Sequence, residues 1–99
     1  MTTPSRLTII PADCYCAVDG IGYQGIDITS LVPEVHALQW HGERGEEEIK
    51  DLSTGRIVLN KEITSLNDYQ AVLDSYWSIR QAAEVLAVEQ QLADEILEV

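Results

Sequence analysis

The first two thirds of the chain break into short strand-like runs separated by turn residues. The pattern then changes to steps of three and four that continue almost to the end. Residues 6–11 (Arg-Leu-Thr-Ile-Ile-Pro) predict a first strand closed by proline, and residues 14–18 (Cys-Tyr-Cys-Ala-Val) a second. Asp19-Gly20 predicts a tight hairpin turn, because a type I′ turn needs positive φ at both central positions. The returning strand spans residues 21–26, where Gly22 and Gly25 fit a strong twist or a bulge. Residues 27–33 form a connection, in which Ile28-Thr29-Ser30-Leu31 has room for one helical turn. Residues 35–41 predict a central strand, with His36, Leu38 and Trp40 on one face and Val35, Ala37 and Gln39 on the other. After a loop at Gly42-Glu43-Arg44-Gly45, residues 46–50 return as a charged strand. Its three consecutive glutamates suit an exposed sheet edge. Residues 56–63 give the last extended segment, after a turn at Ser53-Thr54-Gly55.

From Ser65 onward there is neither Gly nor Pro. Ser65 fits a helix N-cap, with Asp68 in the favourable first turn. Tyr69, Val72, Tyr76, Ile79, Ala83 and Leu86 then recur at helical spacing, widened by Leu73 and Trp77. A helix of roughly 35 residues would be about 50 Å long, more than the core of so small a domain can cover. Past Leu86 the apolar line moves around the helix to Val85, Val88, Leu92 and Ile96. These four residues predict a surface that meets another chain. The fold class expected is α+β: a small twisted antiparallel β-sheet followed by one long C-terminal α-helix. Residues 1–64 supply the β-rich part and residues 65–99 an acidic helix whose first half packs on the sheet, together one domain.

Composition sharpens this reading. The chain has no Phe, so the core must come from aliphatic residues, two Trp and four Tyr. Trp40 is expected in the core, and Trp77 is expected to pin the helix to the sheet. A core of this size is marginal alone, which favours a homo-oligomer or a standing partner. A net charge of −11 disfavours direct nucleic-acid binding and anionic membrane surfaces. No apolar run approaches the roughly 20 residues of a membrane span. Residues 1–6 lack the layout of a secretory signal, so the expected location is the cytoplasm of the producing cell.

Candidate chemistry is sparse. Cys14 and Cys16 are placed by their spacing on one strand face, where a mutual disulfide would be strained and two thiols are too few for a structural zinc site. Both are read as buried free thiols, and neither a metal nor a cofactor is expected. Glu46, Glu47 and Glu48 alternate faces and do not converge on a cation. His36 and His41 have no nucleophile beside them in sequence. Gly20, Gly22 and Gly25 match a dinucleotide-binding spacing, but they sit in a hairpin rather than between strand and helix. No catalytic residue is assigned, and the chain is read as no enzyme.

One stretch carries a resemblance. Ile9-Ile10-Pro11-Ala12-Asp13, Val18-Asp19-Gly20-Ile21-Gly22-Tyr23, Gly25-Ile26-Asp27-Ile28 and Val35-His36-Ala37-Leu38-Gln39-Trp40 follow one another over residues 7–41. This resembles small proteins of bacteriophage and prophage tail gene clusters, described variously as tail proteins or tail-fibre assembly chaperones. Their acidic, alanine-rich final helix is echoed by Ala82, Ala83, Ala87 and Ala93, whereas Cys14 and Cys16 are not part of the pattern. The resemblance implies a non-enzymatic role in the host cytoplasm or the virion, binding another tail or tail-fibre protein as an assembly chaperone or minor structural part. The alternative from another class is a phage-encoded acidic inhibitor of a host protein, acting as a charge mimic of nucleic acid.

Overall fold

A computed structural model describes the backbone of residues 4–97 and the side chains of residues 4–92. The β half forms one six-stranded antiparallel sheet: β1 Arg6–Ile10, β2 Tyr15–Val18, β3 Ile21–Tyr23, β4 Val35–His41, β5 Arg44–Lys50 and β6 Ile57–Ile63. Their order across the sheet is β3-β2-β1-β4-β5-β6. A single turn of 3₁₀ helix at Asn67–Tyr69 then leads into α1, Gln70–Leu97. The fold is α+β.

The alternation in the sequence becomes the two faces of this sheet. Leu7 pairs with Val18 and Trp40, and Ile9 with Cys16 and Leu38, so these six side chains form one buried apolar face. The first half of α1 covers that face with Val72, Leu73 and Tyr76, preceded by Tyr69. The Tyr76 hydroxyl donates to the Ile21 carbonyl at 2.6 Å, and its ring meets Tyr23 edge-on at 5.8 Å. Tyr76 therefore ties the helix to the outermost strand on that side. The opposite face stays polar and open; there the Thr8 hydroxyl donates to Gln39 Oε1 at 2.9 Å.

Two backbone devices fix the register. Asp19 and Gly20 both have positive φ, 50° and 87°, which gives β2 and β3 their tight turn. Gly22 leaves room for Tyr15 to lie across β3: a Cβ there would overlap the end of the Tyr15 side chain, which would have to move aside.

Several expectations are corrected. β4 carries one extra residue against β5 between Val35 and Ala37, which brings Val35 to the buried face with Leu38 and Trp40 and leaves His36 half-buried at the bulge. The triple glutamate is not on an edge, because β6 pairs along β5 and is itself the edge. Glu47 is half-buried and accepts a hydrogen bond from the Tyr69 hydroxyl. Ser65 does not cap α1 directly; its hydroxyl accepts from the Asn67 N–H at 3.2 Å, one step before the 3₁₀ turn. Trp77 packs against the core as expected but is only half-buried, under the Arg80 guanidinium at 4.9 Å, whereas Tyr76 beside it is fully buried. Cys14 lies outside β2 in a left-handed turn (φ 48°) and is exposed, while Cys16 is buried. The two thiols therefore do not share a strand face.

Candidate interaction surface

The helix outruns the sheet. The molecule measures 60 × 29 × 18 Å, with a radius of gyration of 16.7 Å where a compact chain of this length has about 13 Å. Arg80 marks the point of departure. Its Nε donates to Glu84 Oε1 at 3.0 Å and one terminal nitrogen to the Tyr76 hydroxyl at 3.3 Å, while the guanidinium lies over Trp77. Beyond it only Ala83 remains half-buried among the described side chains.

On this projecting half Val85, Val88 and Leu92 are 52%, 57% and 54% exposed. At about 100° per residue, Val85 lies about 180° round the helix from Tyr76, and Leu92 about 160°. Val88 lies about 120° round, so the second apolar line runs along the flank and back of the helix, off the stripe that packs on the sheet. Ile96 lies outside the residues whose side chains are described. Leu86 was expected on the sheet-facing stripe; it is 63% exposed, because the sheet ends before the helix does. It borders a shallow groove with Ser78, Gln81, Ala82, Val85 and Glu89. This arrangement can bury aliphatic side chains against a partner, with carboxylates at the rim.

A second concave region lies on the polar face of the sheet. Gln39, His41, Arg44, Gly45, Glu46 and Glu62 line a depression of about 390 Å³. The register sets Arg6, His41 and Arg44 side by side across β1, β4 and β5. Both arginines and the histidine are exposed, so the two guanidinium charges are well solvated. The spacing of Arg6, His41 and Arg44 along the chain gave no hint of this row, which only the strand order assembles.

The buried ionisable groups are structural. Burial pushes the Cys16 thiol up from 9.0 to about 12. Burial first, and then the hydrogen bond to Glu47, pushes the Tyr69 hydroxyl up as well. Both groups keep their protons to higher pH in the fold than in the unfolded chain. Above about pH 9 the unfolded state therefore binds fewer protons, and stability falls as pH rises toward 12. Urea midpoints are expected to drop between pH 8 and pH 11, with a smaller drop in Cys16→Val. At neutral pH a thiol-reactive probe is expected to label Cys14 alone until the chain unfolds.

Among the described residues no group of three or more His, Cys, Asp or Glu side chains is placed to hold a metal ion, and no helix is long and apolar enough to cross a membrane. Comparison with known proteins returns no matching family model, no matching curated protein and no matching solved structure.

Proposed function

We propose that this chain is a non-enzymatic interaction protein that docks its projecting helix on another protein, as an assembly chaperone or minor structural part of a phage tail. The observation that carries the docking is the exposed line Val85, Val88 and Leu92 on the projecting half of the helix, off the stripe that packs on the core. An apolar line of that kind is covered in use by a partner surface. The tail setting rests on the resemblance over residues 7–41. The carboxylates around the helix fit the chaperone version, since they keep a complex with an aggregation-prone partner soluble.

Co-purification with the proteins encoded beside its gene, followed by a salt titration, tests the reading. Exposed ion pairs contribute about 0–1 kcal/mol each and are screened by salt, whereas apolar burial is not. Affinity for the partner is therefore expected to change less than about threefold between low and moderate salt. A complex that dissolves as salt rises would instead favour the acidic inhibitor of a host protein, held by charge.

A further inference from the structure

The sheet has two edges of very different character. β3 is three residues long, and Tyr76 satisfies the Ile21 carbonyl on it. β6 is seven residues long, contains no proline, and has six of its seven residues exposed. Ile57, Val58 and Leu59 on it are 43%, 63% and 54% exposed, with Leu52 exposed in the turn before it. A long apolar edge with free backbone donors and acceptors is a template for another strand unless charge or proline blunts it. Here Lys61 and Glu62, one of each sign, are the only charged residues on β6.

Charge selects the partner strand. Residues 44–63 hold four basic and five acidic residues, a net of −1, whereas the other 79 residues hold two basic and twelve acidic, a net of −10. The β5–β6 hairpin is therefore the near-neutral region of a strongly acidic molecule. A second copy approaching by the helix or the β1–β3 side would bring like charges together; approaching by β6 it would not.

We propose that β6 is a homodimer interface at which two copies of this chain pair edge to edge, antiparallel about a two-fold axis, to make one continuous twelve-stranded sheet. An antiparallel pairing of identical strands is self-complementary and closed, so it consumes both free edges and does not propagate into fibres. Ile57, Val58 and Leu59 gain cross-strand neighbours at the junction, Val58 on one face of the sheet and Ile57 and Leu59 on the other. The two projecting helices stay free for the docking described above, so this inference stands independently of that function.

Sedimentation of the full chain at about 100 µM tests it, with salt raised from about 50 to about 300 mM. A dimer is expected, with a dimer fraction that increases with salt, because screening relieves repulsion between two acidic bodies while the strand pairing is unaffected. The doubly substituted Val58→Glu, Leu59→Glu chain, altered only at exposed positions, is expected to self-associate at least tenfold more weakly with an unchanged circular dichroism spectrum. The Val88→Glu, Leu92→Glu chain is expected to remain dimeric. Amide exchange in Ile57–Ile63 of the unaltered chain gives a reading that needs no variant: it should slow as concentration rises. A chain that is monomeric at both salts, a dimer that survives the β6 substitutions, a dimer that loosens with salt, or β6 exchange independent of concentration would each overturn the proposal.

Discussion

Replacing Tyr76 with alanine is expected to destabilise the fold by about 3–5 kcal/mol, the range for removing a large aromatic from a packed core. That is a large share of the total stability of a small domain. Tyr76 is fully buried, donates to the Ile21 carbonyl, meets Tyr23 and Trp77 edge-on, and receives a hydrogen bond from Arg80. The substitution leaves a cavity between helix and sheet and removes the hydroxyl's hydrogen bond to β3 at the same time. Urea unfolding measures the loss. Tyr76→Phe keeps the ring and removes only the hydroxyl, so it should cost about 1 kcal/mol. Trp77→Ala, at the margin, should fall between the two, and a Trp77 effect larger than that of Tyr76 would reverse their assigned roles.

Replacing Val88 and Leu92 together with polar residues is expected to do the opposite: stability unchanged, partner binding lost. Both side chains are exposed in the free chain, and surface substitutions away from special features stay within about 0.5 kcal/mol. Burying one such aliphatic side chain at an interface contributes about 1.5–3 kcal/mol, so losing two weakens binding by about 100-fold or more. Titration of the partner against the two chains, with a urea midpoint for each, separates binding from folding. An unfolding midpoint that drops with the double substitution would show that this half of the helix packs on its own chain.

Two local patterns made most of this architecture legible. Short β-branched runs between turn residues in residues 6–63 marked the strands, and the absence of Gly and Pro after Ser65 marked the helix. The Asp19-Gly20 turn could be read directly, since its chemistry is local. What could not be read was non-local. The bulge between Val35 and Ala37 reverses the face of Val35 without changing the alternation that precedes it. The edge strand was misplaced because three consecutive glutamates look solvated, although Glu47 is half-buried against Tyr69. Trp77 lies on the widened helical stripe, but the helix turns Tyr76 fully inward and leaves Trp77 half-buried under Arg80. The shift of apolar residues from the Tyr76 face to the Val85 face was visible in the spacing alone. That this second face is uncovered depends on where the sheet stops. The row of Arg6, His41 and Arg44 and the bare edge of β6 follow from strand order, which short-range patterns do not encode.

Amide hydrogen exchange along α1, free and with a co-purifying partner bound, tests the central claim most directly. In the free chain residues 81–92 have little tertiary packing to protect them, and an isolated helix this short is marginal in water, so their amides should exchange fast. On binding, protection is expected over residues 85–92, with little change over residues 72–80, which are already packed on the sheet. Protection that appears instead on the polar face around Gln39, His41 and Arg44, with residues 85–92 unchanged, would contradict the account.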